Sequence, residues 1–149
     1  MAVIRPAEKG ELPEVQRLER AAFGEEAYPA FFLRQAWDLW PGSLLVATRD
    51  AALAGYVLAG RGERDDQGWI LSLAVAPSAR RTGLGRRLTE AAVEALATQG
   101  CRRVLLTASP GSAAARLYRS LGFEELRSEP DYFGPGEARV VFARATASR

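Results

Sequence analysis

Gly83 and Gly85 stand two residues apart, with Thr82 and Leu84 beside them and Arg80, Arg81 and Arg86 around them. A turn of that composition suits one kind of chemistry. With no Cβ in the way the backbone can turn tightly and expose successive N–H groups. Where a helix begins at the turn, the positive end of its dipole adds to them, so the segment can cradle phosphate. The arginines would add charge around that cradle. Two better-known phosphate motifs fail: a dinucleotide fingerprint needs glycine where Leu88 stands, and a P-loop needs a Gly-Lys-Ser/Thr run that is absent. Taken alone, Gly-x-Gly with flanking arginines is a weak signal and more often a structural turn.

Other chemistries are removed by composition. The 149 residues contain no histidine, so Ser-His-Asp catalysis, Cys-His catalysis and imidazole metal sites are excluded. One cysteine, Cys101, cannot form an internal disulfide or a thiolate cluster, so the chain is expected to work in a reducing compartment without a metal; cytosol is the default. Arg102 and Arg103 beside Cys101 are expected to lower its pKa, yet with no base nearby the structural reading is preferred to a nucleophilic one. The net charge is only +2, but Arg80 to Arg119 holds eight arginines against two acids, Glu90 and Glu94, which suggests a localised anion site. For most of those arginines the plainer reading is a stem covering apolar surface. Nucleic-acid binding is not expected, since the segment has no lysine tract. No leader is read at the start, where Arg5, Glu8 and Lys9 interrupt the apolar run, and no stretch approaches the ~18 apolar residues of a membrane span.

The elements that must position these residues follow from periodicity. One domain over residues 1–149 is expected. Val3 to Arg5 reads as a strand, Glu11 to Phe23 as a helix with Leu12, Val15, Leu18 and Ala22 on one face, and Pro29 to Trp40 as a second helix. Ser43 to Thr48 and Leu53 to Gly60 read as a hairpin, and Arg61 to Gln67 as a charged turn. Gly68 to Ala76 is nearly all apolar, as in a central strand buried on both faces. Leu84, Leu88, Ala92 and Leu96 mark a helix closed by Gly100. Then come a strand (Arg102 to Thr107), a short helix (Ser112 to Leu121) and strands over Phe123 to Arg127 and Ala138 to Ala143, with Ala145 to Arg149 as a frayed tail. The order is β-α-α-β-β-β-α-β-α-β-β, an α/β chain of about seven strands and four helices.

Placed after the strand ending Leu73-Ala74-Val75 and before a helix, Arg80-x-x-Gly83-x-Gly85 resembles the Arg/Gln-x-x-Gly-x-Gly/Ala signature of the GNAT superfamily of acyl-CoA-dependent N-acetyltransferases. Leu117-Tyr118-Arg119-Ser120-Leu121-Gly122-Phe123 is similar to the late Leu-Tyr-x-x-Leu-Gly-Phe block of that superfamily, in the expected order. The flavour is that of the RimI-like branch, which acetylates protein N-terminal amines, and Asp131 to Glu137 looks like a loop of related bacterial members.

The resemblance implies a GNAT fold, a mixed and mostly antiparallel sheet, with acetyl-CoA as cosubstrate and a primary amine as acceptor. It implies that the backbone of Leu73, Ala74 and Val75 holds the pantetheine arm and thioester carbonyl. Arg80, Arg81, Thr82, Gly83, Leu84, Gly85 and Arg86 would hold the pyrophosphate, and Ser112 falls near the family's cofactor-binding asparagine. Tyr118 stands at the family tyrosine, where a phenol can protonate or hydrogen-bond the departing thiolate. The base departs from the pattern: where RimI-like enzymes carry a glutamate, this chain offers Leu106 or Thr107, neither of which takes a proton. Glu25, Glu26 and Glu137 are candidates by loop position, alongside a water relay or an amine that arrives neutral. The missing glutamate keeps a non-catalytic acyl-CoA-binding module as the alternative. The sequence leaves open whether two copies pair through the last strand.

Overall fold

The computed structural model describes residues 1–64 and 66–146. In chain order the elements are β1 (Val3–Pro6), α1 (Leu12–Phe23), α2 (Ala30–Leu39), β2 (Leu44–Arg49), β3 (Ala52–Arg61), β4 (Gln67–Val75), α3 (Leu84–Thr98), β5 (Arg103–Ala108), α4 (Ala113–Ser120), β6 (Glu124–Glu129) and β7 (Arg139–Ala145). Order and type match the pattern read from the sequence. The seven strands form one sheet, β1-β2-β3-β4-β5-β7-β6, in which β4 and β5 are parallel and the other neighbours antiparallel.

Three layers result, because each strand sends alternate side chains to opposite faces. On one face Leu84, Leu88, Ala92 and Leu96 of α3 pack on Val57, Ala59, Ile70, Val104 and Phe142. On the other, Val15 of α1 and Leu33 and Ala36 of α2 pack on Leu44, Val46, Tyr56 and Leu58.

The fold bears on three points raised by the sequence, one left open and two expected. β7 lies between β5 and β6, so both its edges are occupied and a second copy cannot add to the last strand; the sheet edges are β1 and β6. Edge strand β6 is largely exposed and carries Glu124, Glu125, Arg127 and Glu129, the charged edge that discourages further pairing. Second, β7 runs on to Ala145, and Thr146 donates from its N–H to the Arg102 carbonyl and from its hydroxyl to the Cys101 carbonyl, so these two residues belong to the fold; 147–149 lie outside the described residues. Third, β4 is central but alternates buried and half-buried residues. It is open on one side because it separates from β5.

Candidate active site

That separation organises the site. β4 and β5 pair only through Gln67, Gly68 and Trp69 with Arg103, Val104 and Leu105, after which they part, although β4 continues to Val75 and β5 to Ala108. Its local cause is a bulge. In the β3 pairing Leu58 faces Ser72 while Ala59 faces Ile70, leaving Leu71 as the extra residue. Beyond the bulge, Ala76 N–H donates to the Ala54 carbonyl. Antiparallel pairs alternate, so Ala74 and Ser72 bond to β3 and the N–H and C=O groups of Leu73 and Val75 point into the gap. Ala74 therefore differs from its two neighbours: its backbone is used in the sheet and its side chain packs in the α1–α2 core.

From the gap a groove of about 400 Å³ runs along the start of α3, lined by Val75, Ala79, Arg80, Arg81, Gly83, Leu84, Gly85, Arg86 and residues of α4. Gly83 caps α3 at φ +82°, a left-handed conformation that glycine adopts without strain. The first intrahelical bond there runs from Arg87 N–H to the Gly83 carbonyl, so the N–H groups of Leu84, Gly85 and Arg86 have no helical partner. Thr82 does not line the groove; its hydroxyl donates to the Ala79 carbonyl at 2.6 Å and holds the turn. Gly85 needs no special φ, and a Cβ there would meet nothing closer than 3.7 Å, so the protein's own packing leaves that space free. Only three of the eight arginines of the basic segment line the groove. Arg86 is held by the Ser120 hydroxyl at 2.9 Å, while Arg87 donates to the Ala2 carbonyl and Arg119 pairs with Glu125.

Tyr118 lies on the inner face of α4, 6% exposed, with its ring edge-on to Phe123. Its hydroxyl makes no hydrogen bond among the described residues, yet it is not a sealed unsatisfied atom either, so it reaches solvent. Burial pushes its pKa up to about 12, partly offset by the positive charge of Arg139. Ser112 sits at the N-cap of α4, where its hydroxyl accepts from Ala115 N–H at 3.1 Å; it does not line the groove.

On the α1–α2 side a second pocket, about 290 Å³, is lined by Glu26, Ser109, Pro110, Phe133, Gly136, Glu137, Ala138 and Arg139. Two of the three candidate carboxylates, Glu26 and Glu137, thus meet, and both are exposed; Glu25 is not among the lining residues. Of the two residues offered where RimI-like enzymes carry a glutamate, Leu106 is buried in the α3 core and the Thr107 hydroxyl accepts from Arg139. Arg139 donates from Nε to Thr107 Oγ1 (2.9 Å), from Nη2 to the Thr107 carbonyl (3.0 Å) and from Nη1 to Ser109 Oγ (3.1 Å). Burial lowers its pKa.

Sequence reasoning missed two residues here. One is Arg139 itself, which nothing in its neighbourhood distinguished from other strand arginines. The other is Glu19, 2% exposed, whose carboxylate accepts from the Tyr56 hydroxyl, from the Ser72 hydroxyl at 2.6 Å and from Tyr28 N–H at 2.9 Å. Its signal was available, since Glu19 falls four residues after Val15 in the apolar stripe of α1. Burial, with the Glu19 charge, drives the Tyr56 phenol far above its ordinary pKa. Tyr28 in turn donates to the carbonyl of the bulged Leu71 at 3.3 Å. Cys101 is structural as preferred, while its expected fall in pKa is corrected: it is 2% exposed and burial raises its pKa, outweighing Arg61, which leaves it a core thiol.

A bulged, splayed parallel pair running into an arginine-flanked glycine turn defines an acyltransferase-type α/β fold. Residues 12–123 match the model of the Acetyltransferase (GNAT) family, and the chain belongs to that family of N-acetyltransferases. It is similar to an uncharacterised N-acetyltransferase of Methanocaldococcus jannaschii, 28% identical over 145 residues, covering 95% of this chain and 90% of that protein. The RimI-like flavour is present too: the ribosomal protein bS18-alanine N-acetyltransferase of Salmonella typhimurium is 38% identical over 69 residues, 46% of this chain and 47% of that one. Among solved structures, Ard1 from Thermoplasma volcanium superposes with a TM-score of 0.90 at 22% identity, covering 99% of both chains, which shows the shared fold.

Proposed function

We propose that the chain transfers an acetyl group from acetyl-CoA to a primary amine by direct attack on the thioester. The observation that carries this is the β4/β5 gap, where unpaired backbone groups of Leu73 and Val75 open into the glycine-turn groove. The groove fits the donor's chemistry: free N–H groups and arginines at the turn for pyrophosphate, and a narrow gap of unpaired peptide groups for an extended pantetheine arm. Acetyl-CoA supplies the activated acyl group, and the chain's residues supply the rest.

Backbone N–H groups at the gap stabilise the carbonyl oxygen as it gains charge. The amine nitrogen bonds to the carbonyl carbon, the C–S bond breaks, and one proton leaves the nitrogen. Tyr118 assists the leaving sulfur as a hydrogen-bond donor. Full proton transfer from a phenol at about 12 to a thiolate near ~8.5 is uphill by roughly 5 kcal/mol, so the proton stays on Tyr118. Glu26 and Glu137 line the acceptor pocket and take the amine's proton through solvent. The test is calorimetric titration with acetyl-CoA, followed by thiol release over a panel of amines. Binding with release supports the proposal; binding without release from any amine identifies an acyl-CoA-binding module, and no binding at millimolar ligand ends both readings.

A further inference from the structure

The acceptor pocket holds a cation where a RimI-like enzyme is expected to hold a carboxylate. Arg139 begins β7 directly opposite the end of β5, and its guanidinium is fixed by Thr107 and Ser109 and covered by the Phe133 ring, 5.1 Å from the centroid. Every one of those partners is neutral. Among the described residues no carboxylate lies within ion-pair distance of Arg139, whereas Arg5, Arg34, Arg119, Arg127 and Arg144 each have one. A guanidinium carries five N–H donors, and three are committed here, which leaves one on each terminal nitrogen for a ligand. A carboxylate accepts readily from guanidinium N–H donors of this kind.

Its surroundings fix what such a ligand must look like. Arg139 is half-buried and rigidly held, while the acids that share the pocket, Glu26 and Glu137, are exposed at its rim. The positive charge of Arg139 also offsets part of the rise in the Tyr118 pKa, so its field reaches the phenol. A half-buried cation with no ion pair, opposed only by exposed acids such as Glu26 at the rim, gains from an incoming anion. The same cation disfavours an ammonium at the reaction centre and thereby promotes the neutral amine that attack requires.

We infer that the acceptor is an amine that carries a carboxylate a few bonds from the reacting nitrogen, with Arg139 as the residue that selects it. This rests on the acetyltransferase reading above. The chemistry is shared by two sources, a free α-amino acid and a peptide whose first residue is acidic. The rim acids receive the ammonium on arrival, and the fixed guanidinium receives the carboxylate.

The test uses the full chain, wild type and Arg139→Gln, with acetyl-CoA at saturation and CoA release as the readout. One arm compares an aspartyl-initiated peptide, amidated at its C-terminus, with its asparaginyl isostere; the other compares alanine with alaninamide, corrected for the fraction of neutral amine. Wild type is expected to favour the carboxylate form in at least one arm by about 10- to 100-fold in kcat/KM, mostly through KM. The arm that shows it identifies the source. Arg139→Gln should bring the preference within about twofold while acetyl-CoA affinity, measured by calorimetry, stays as in wild type. Turnover without a carboxylate preference in either arm overturns the inference and leaves acetyl transfer standing, as does a preference that survives in Arg139→Gln. Failure to release CoA with any amine, in a protein that binds acetyl-CoA, overturns the acetyltransferase reading and this inference with it.

Discussion

The two sides of the cleft are made of different materials. The donor groove is mostly backbone: free N–H groups of Leu84, Gly85 and Arg86, the peptide edges of Leu73 and Val75, and a glycine that leaves space. The acceptor pocket is mostly side chain: Arg139 fixed by Thr107 and Ser109, with Glu26 and Glu137 at the rim. Backbone recognition depends on where strands part and helices start, so it is carried by short motifs. Side-chain recognition depends on which residues from distant loops meet, so it varies while the frame stays the same.

The largest expected effect breaks the donor side. In Gly85→Val the added Cβ would rest in ordinary van der Waals contact with Leu117, Leu73 and Val75, 3.7 to 3.9 Å away, without a clash. The fold should be retained, with a melting temperature within a few degrees of wild type. Acetyl-CoA affinity should fall by more than about 100-fold, a loss of roughly 3 kcal/mol. Calorimetric titration beside a thermal melt separates the two, and an unchanged Kd would show that ligand does not approach Gly85. Next in size is Tyr118→Phe, which keeps the ring against Phe123 and removes only the hydroxyl. Turnover should drop about 10- to 100-fold with acetyl-CoA affinity unchanged, the size of one lost hydrogen bond to a charged leaving group. Full turnover in this variant would exclude a role for the phenol in the leaving-group step.

How much of each side was legible in the sequence follows the same division. Leu84, Leu88, Ala92 and Leu96 announced α3, and Gly83-x-Gly85 announced the turn at its start, because periodicity and glycine are local signals. The parting of β4 from β5 was not legible, since it follows from one extra residue, Leu71, in a register that only the β3 pairing defines. Ser112 was placed near the family's asparagine by resemblance alone, and its hydroxyl caps α4, a role that the sequence reading did not assign. Arg139 and Thr107 lie 32 residues apart, and their meeting depends on β7 returning beside β5. Glu19 was legible in principle, as a charge in an apolar stripe, but the three donors that justify it come from α2's approach, β3 and β4.

A third substitution sharpens the acceptor side. Thr107→Glu would place a carboxylate at one of the two positions offered where RimI-like enzymes carry a glutamate, next to Arg139 Nε, now 2.9 Å from the threonine oxygen. The ion pair so formed would occupy the guanidinium, and a pair of opposite charges removes the field that attracts a carboxylate. The expected result is about a tenfold loss of kcat/KM for carboxylate-bearing acceptors, little change for neutral amines and none in acetyl-CoA affinity. Equal losses for both kinds of acceptor would mean that residue 107 acts on the chemistry and not on selection.

The smallest expected effect is a flat region in a pH profile. An ordinary phenol, near ~10, would lose its proton at mildly alkaline pH and turnover would decline there. Tyr118 is raised to about 12, chiefly by burial, so it remains a donor across that interval. At saturating amine and acetyl-CoA, kcat should not fall between about pH 8.5 and 10.5 on account of this residue. Stability carries the opposite sign. Because the folded state holds the proton more tightly than the unfolded chain, the contribution of Tyr118 is complete below about pH 10 and is lost as pH rises toward 12. Tyr118→Phe removes that dependence, so the difference in melting temperature between variant and wild type should shift in the variant's favour above pH 10. A descending limb in kcat near pH 9.5 that vanishes in Tyr118→Phe would show instead that burial does not hold the proton on the phenol during turnover.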